Sequence, residues 1–270
     1  MLAFASCAQA ATVVDVQATR LVTISDDAVP ARSQGADVIV LGGGLGGIAA
    51  AMAACDAGHS VVLTEETDWL GGQATAQGVS ALDENGWIER SGGTRTYLDF
   101  RKRVREWYRT HAQLTPQAQQ TPELDPGNAW VSKLAFEPKV GVAVIDDMLA
   151  PHRKAGKLTV LLRHQIVRAH RTGRSIDWVD VVNLDKAEGV RLTGKFFLDA
   201  TELGDALVAC GVEHVVGAEP REQTGEPHAR DDGKHPECVQ SFTYPFVLRL
   251  KQTPGAPVTR PARYEQMREG

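Results

Sequence analysis

DVIVLGGGLGGIAAAMAACDAGHSVVLTEE, residues 37–66, sets a strand, a glycine turn, a helix and a second strand end to end. DVIVL is a short apolar run of the kind that is buried in a sheet. LGGIAAAMAACDAG reads as an alanine-rich helix stopped at Gly58, because glycine readily takes the left-handed conformation that ends a helix. Ser60 to Thr64 (SVVLT) returns as a second apolar strand. Elements in this order and of this size form a mononucleotide-binding βαβ unit, which makes the chain an α/β protein.

Within the turn, Gly42, Gly44 and Gly47 satisfy Gly-x-Gly-x-x-Gly, with Leu45 and Gly46 in the variable positions. Gly42 permits the tight turn off the strand, Gly44 lets a pyrophosphate approach the backbone, and Gly47 lets the helix pack close to the sheet. The helix start then offers free N–H groups and a positive dipole end to phosphates. Such a glycine pattern is weak alone; the strand before it and the helix after it supply the context it needs. Glu65 ends the second strand, where a carboxylate accepts hydrogen bonds from ribose hydroxyls. Glu66 adds a second negative charge that would repel a ribose 2′-phosphate. NADP is thereby disfavoured, and FAD and NAD stay open.

Outward from this unit, residues 1–35 read as a leader or disordered tail with one short strand near Thr19 to Ile24. Ala8-Gln9-Ala10 resembles a signal-peptidase site without a basic start before it. That leaves two readings, the remnant of an export signal or a short tail on a cytoplasmic protein. The dinucleotide-binding domain spans 36–215, with a helical insert about 88–135 and a β-meander about 163–195. In the insert, a helix from Thr94 to His111 carries Tyr97, Phe100, Val104 and Trp107 or Tyr108 on one stripe, and its arginines are assigned to the solvated face. Three prolines make 115–128 an exposed loop. Pro138 suits the first turn of a helix reaching His152. From Leu158 to Ala200 the runs LTVLL, IVRAH, IDWVDVV, VRLT and KFFLDA read as a meander whose last strand rejoins the sheet. Residues 216–270, with a strand candidate at Phe242 to Leu250, read as the start of an incomplete substrate-side domain, and the chain reads as truncated.

Bulk properties set bounds. A hydrophobic share of 43% and a charged share of 23% suit a globular protein able to bury a core. A net charge of -5 gives no electrostatic footprint for nucleic acid. No run of about 20 apolar residues predicts an integral membrane segment. Cys7, Cys55, Cys210 and Cys238 stand far apart with no Cys-x-x-Cys spacing, so no metal site is expected and unpaired thiols are.

The segment after the second strand chooses between cofactors. Glu65-Glu66-Thr67-Asp68-Trp69-Leu70-Gly71-Gly72-Gln73 resembles the FAD oxidoreductases of the glutathione-reductase-like superfamily, where a Gly-Gly doublet follows the ribose acid. Together with LDATELGDAL and GAEPREQTGEPHA, the stretch from Asp37 to about His228 resembles the broad bacterial FAD-dependent oxidoreductase family of undefined substrate. The resemblance implies a Rossmann-like FAD-binding domain. By position it puts Gly42, Gly44 and Gly47 at the pyrophosphate and Glu65 at the adenosine ribose. Gly71, Gly72 and Gln73 then line the flavin side, with Gln77 and Gly78 nearby. Asp199-Ala200-Thr201-Glu202-Leu203-Gly204-Asp205 resembles the family's second FAD contact, with Ala200, Thr201 and Gly204 in the turn and Asp205 toward ribityl or ribose hydroxyls; an acid placed at a helix start by the dipole is the competing assignment for Asp205. Backbone around Ile166 and Val167 is expected near adenine. GGQATAQGVSALDE holds no cysteine where disulfide reductases of this superfamily carry their redox pair, which excludes that branch.

In such a protein the flavin carries the redox step while the chain supplies orientation and electrostatics. The expectation is hydride or two-electron transfer between a small organic substrate and flavin N5. His228 and Arg95 are the candidate acid–base and anion-holding residues; a structural histidine in a polar loop and a solvated arginine at a helix start are the competing assignments. His164 and His170 are read as structural. The alternatives are an FAD-binding fragment without turnover and an NAD-linked dehydrogenase, the latter predicting further βαβ units after Glu65.

Overall fold

Val38 and Val40 pack into one apolar cluster and Ile39 and Leu41 into another, all four buried, because successive strand residues point to opposite faces of a sheet covered on both sides. A computed structural model describes residues 11–24 apart from 16 and 19, residue 30, residues 32–243, and residues 245, 253, 255, 257 and 259–268. Cys7, Ala8-Gln9-Ala10 and most of the strand candidate at Phe242 to Leu250 lie outside the described residues.

The elements are β1 (Ala11–Asp15) and β2 (Arg20–Ile24), then β3 (Arg32–Leu41), α1 (Leu45–Asp56) and β4 (Val61–Glu65). A 3-10 turn (Gly72–Ala74) leads to α2 (Ile88–Ser91), α3 (Arg95–His111), α4 (Pro116–Gln120) and α5 (Pro138–Lys154). Next come β5 (Leu158–Leu162), β6 (His164–Thr172), β7 (Ser175–Asn183) and β8 (Glu188–Asp199). The short helices α6 (Asp205–Ala209), α7 (Arg221–Thr224) and α8 (Tyr264–Arg268) follow.

Six strands form one sheet in the order β5-β4-β3-β8-β7-β6. The first four are mutually parallel, and β7 and β6 continue antiparallel. This is a mixed, mainly parallel α/β sheet of the Rossmann-like kind. It corrects two sequence expectations. LTVLL is not part of the meander: α5 carries the chain back to β5, which pairs parallel with β4, so a further parallel strand does follow Glu65. VRLT and KFFLDA are one continuous strand, β8, whose C-terminal half runs along β3 up to the Leu41–Asp199 pair.

Residues 11–24 hold two strands rather than one, paired as an antiparallel hairpin. Its Asp15 is fully buried and binds Arg163 and Arg20. The Arg163 hydrogen bond holds the Asp15 carboxyl down at about 2, below the usual carboxylate range.

In α3 the stripe of Phe100, Val104 and Tyr108 is buried as expected, but the arginine face is not all solvated. Arg101 is 2% exposed and pairs with Glu84 and Glu89, while Arg105 donates to Glu89 at 2.7 Å and to the Leu124 carbonyl at 2.9 Å. Tyr97 Oη donates to Glu84, and Ser132 Oγ donates to the same carboxylate at 3.2 Å. A buried charge is tolerated only when paired and hydrogen-bonded, and this cluster meets that condition.

Candidate functional site

The site is assembled where three chain segments meet at the carboxyl end of β3. Gly42 leaves the strand with φ +101°, and a Cβ there would stand 2.2 Å from the Ala200 carbonyl oxygen. Only glycine fits both the angle and the space. A Cβ on Gly47 would stand 2.0 Å from the Gly42 carbonyl, so the helix can sit against its own entry turn only with glycine there. The Ala200 amide donates to the Leu41 carbonyl at 2.7 Å, fixing the late DATELGD turn beside the glycine loop.

Gly44 is the N-cap of α1, with extended backbone, no side-chain cap and no acid in the helix's first turn. The first amides of this twelve-residue helix therefore face the site as donors, backed by the positive dipole end. Gly71 N donates to the Gly43 carbonyl at 2.8 Å, and Gly44 and Gly71 form a parallel bridge. The doublet is thus zipped directly onto the glycine loop.

Glu65 is 8% exposed and its carboxylate is a hub. Oε2 accepts from the Gly43 amide at 2.9 Å, and Oε1 accepts from Thr67 N and Thr67 Oγ1, both at 2.8 Å. Thr64 Oγ1 accepts from Gly42 N at 3.3 Å. Glu66 stands beside it with its carboxyl pushed up to about 7, first by burial and then by the negative charges of Glu65, Asp205 and Glu202. Burial, with Asp199 nearby, also raises Asp205. In the late turn Asp199 accepts from Thr201 N, Thr201 Oγ1 and Leu207 N, and Thr201 Oγ1 accepts from Asp205 N at 2.8 Å.

A cleft opens over these residues; among the predicted ones it takes in Gly42, Gly44, Glu65, Glu66, Gly72, Gln77, Ala200, Thr201 and Asp205. A second cleft shares Gly44, Ala200, Thr201 and Glu202 as a common wall and adds Leu45, Gly46 and Gln73. Gly47, Gly71, Gly78 and Gly204 support the turns without lining either cleft. Val167 lies on the other side of its strand, packed toward Val22 and Leu184, while Ile166, Gln165 and His164 line the first cleft. His164 is buried, its Nδ1 is 2.7 Å from the Leu162 carbonyl, and burial lowers its proton affinity. His228 and Arg95 are exposed and line neither cleft, and His170 pairs with Asp177 and stacks on Trp178.

Three residues had no assigned role in the sequence. Gly43 and Thr67 bind Glu65 through backbone and hydroxyl groups; the signal for Thr67 was a hydroxyl two positions after an acid, the spacing of a local side-chain turn. Glu202 lay inside a recognised motif. Its Oε1 stands 3.1 Å from where a Cβ on Gly44 would be and 2.8 Å from where one on Gly72 would be, so the carboxylate hangs over both glycines.

A glycine loop, a helix start, a strand-end acid and a returning second turn define a dinucleotide-binding α/β protein. Residues 37–268 match the FAD dependent oxidoreductase family, and the chain belongs to that family, whose cofactor is FAD. No curated protein matches the chain. Among solved structures it is similar to L-proline dehydrogenase from P. horikoshii, at 18% identity over 63% of this chain and 23% of that one, TM-score 0.34. It is similar to the myxobacterial chondrochloren halogenase CndH, at 18% identity over 62% and 37%, TM-score 0.39. Thermovibrio ammonificans THI4 gives 15% identity over 69% and 67%, TM-score 0.40. The chain spans well under half the length of the first two.

Proposed function

We propose that the two adjoining clefts hold FAD with its pyrophosphate at the start of α1 and its adenosine ribose on Glu65, and that the protein uses it to oxidise or reduce a small organic molecule. The observation that carries this reading is the hydrogen-bonded unit of Gly43, Glu65 and Gly71, which joins the glycine loop, the acid and the doublet. The residues fit the group: glycine at 42 and at 47 lets the loop close against the Ala200 turn and the helix close against the loop, and the helix start offers uncapped donors. Bound there, the flavin supplies two-electron or hydride chemistry at N5.

The chain's part is binding and orientation. Glu65 accepts from Gly43 through Oε2 and twice from Thr67 through Oε1, and the lone pair left on Oε2 receives a ribose hydroxyl. Gly72, Gln73 and Gln77 serve the flavin side, with Gly71 and Gly78 shaping that turn. Ala200, Thr201 and Asp205 close the cradle from the late turn, and Gly204 shapes it. The backbone around Ile166 and Val167 takes the adenine end, with Gln165 beside it. Glu202 must turn away from Gly44 and Gly72 as a phosphate arrives, because two anions cannot share that space. The same arrangement, with no cysteine between Gly72 and Glu84, supports kinship with the glutathione-reductase-like superfamily outside its disulfide-reducing branch. Residues 216 onward begin the substrate side.

The test is direct. Apo protein titrated with FAD should turn yellow, retain flavin absorbance through gel filtration, and bind ADP competitively with FAD. Photoreduced protein should then be reoxidised by members of a substrate panel. Protein that stays colourless at excess FAD overturns the reading.

A further inference from the structure

Arg163 stands at the junction of β5 and β6 with φ +59°, a left-handed conformation that a non-glycine residue keeps only where its surroundings hold it. Its amide donates to the Thr67 carbonyl at 3.1 Å and its Nη1 donates to the Glu66 carbonyl at 3.0 Å. Its carbonyl accepts from Leu184 N at 2.7 Å. Its Nη2 donates to the fully buried Asp15 at 2.6 Å, and Nε donates to the exposed Asp185 at 3.2 Å. Arg163 therefore grips two consecutive carbonyls of the loop after β4 and is itself held by the N-terminal hairpin.

The hairpin makes further contacts of its own. Gln17 Oε1, in its turn, accepts from Asp68 N and from Arg163 Nη1, both at 3.3 Å. Arg20 donates to Asp15 and to the Leu184 carbonyl. Val13 and Val22 pack on Val182, Leu184 and Val167. Hydrogen bonds thus run without a break from Asp15 through Arg163 to Glu66 and Thr67, and from Thr67 N and Oγ1 to the Glu65 carboxylate.

We propose that the N-terminal hairpin is a clip that sets the Glu65 carboxylate for the cofactor's adenosine end, with Asp15 and Arg163 as positioning residues. This rests on Glu65 being the ribose acid. Neither Asp15 nor Arg163 touches the cofactor. Asp15 fixes the guanidinium, the guanidinium fixes the 66–67 backbone, and Thr67 fixes the carboxylate edge. A guanidinium is suited to this because its planar fork can serve two carboxylates and a carbonyl at once.

The test uses the full chain and three variants, Arg163→Met, Arg163→Lys and Gln17→Ala, with FAD and ADP affinity measured by calorimetry and Thr67 amide exchange by NMR. Arg163→Met, which loses a charged hydrogen bond to the loop, should weaken both ligands about ten-fold and speed Thr67 amide exchange in the apo protein. Gln17→Ala, a change at the surface that removes one weak contact, should weaken them about two- to three-fold without altering the far-ultraviolet circular dichroism. Arg163→Lys, which keeps the charge but not the fork, should recover part of the loss. A merely structural role would lower the melting temperature and leave the affinities of the folded protein alone. Unchanged FAD and ADP affinity in Gln17→Ala and in folded Arg163→Met, beside a parent that binds both, overturns the clip and spares the cofactor reading. If Arg163→Met does not fold, Gln17→Ala decides. A parent that binds neither ligand overturns both.

Discussion

The Gly43 amide donates to Glu65 Oε2 at 2.9 Å, so the glycine loop and the acid ending the neighbouring strand are one rigid unit. The same carboxylate satisfies two donors on Thr67. Glu65→Ala strands all three donors. The variant also loses the bond to a ribose hydroxyl, and one hydrogen bond to a charged group contributes about 1.5–3 kcal/mol, so FAD affinity should fall about 100-fold. Fluorescence titration checks this, and Glu65→Gln should fall between the two.

Gly42→Ala tests the backbone. With φ +101° and the Ala200 carbonyl 2.2 Å from the new Cβ, the loop must move or the late turn must. The expected loss is about 2–4 kcal/mol of stability, read as a lower urea midpoint with an unchanged slope. Gly46→Ala, where a Cβ meets nothing within 4 Å, is the matched control.

Glu202 hangs over Gly44 and Gly72, where the cofactor phosphates are proposed to sit. Glu202→Gln removes that charge at little change in shape. FAD should then bind about three- to ten-fold tighter at low salt, and the gain should shrink as ionic strength rises. Titrations at two salt concentrations give the answer.

Glu66 predicts a pH dependence. Its carboxyl is raised to about 7 in the folded chain from an ordinary 4.5. Between these values the unfolded chain has released a proton that the folded one keeps, so this group's contribution is intact below 4.5 and is lost as pH rises toward 7. Thermal melts of the apo protein across that window should fall less steeply in Glu66→Gln than in the parent. Asp15 acts the other way: its lowered carboxyl contributes above 3.8 and fails as pH falls toward 2.

Arg101→Met should unfold the insert without touching the site. Removing one partner of a buried ion pair costs about 3–5 kcal/mol, and here Glu84 and Glu89 would be left facing each other's charge. Arg101 lines neither cleft, so the folded variant should keep its FAD affinity. Chemical unfolding and FAD titration on the same sample separate the two effects.

The βαβ unit was legible because everything that makes it is local: an apolar run, three glycines and a helix stop within one short stretch. Other features were not. Leu158–Leu162 looks the same whether its partner is parallel or antiparallel, and only β4, far back in the sequence, settles the pairing. Apolar periodicity found the buried stripe of α3 yet sent Arg101 to solvent, because periodicity cannot see that Glu84 and Glu89 wait to pair with it. Ile166 lines the first cleft while the Val167 side chain packs toward the hairpin, as successive strand residues on opposite faces must. Glu202 escaped notice because its part depends on a side-chain direction, which a motif does not record.

The pairing of Leu41 with Asp199, and the close approach of Gly42 to the Ala200 carbonyl, bear on how the protein comes into being. A ribosome delivers the glycine turn after β3 long before the strand that braces it has been translated. Until β8 has emerged and slid in beside β3, the nascent chain has a crook with one wall missing. On the proposed reading, a nascent chain that ends before Ala200 lacks one wall of the cleft and should not retain FAD.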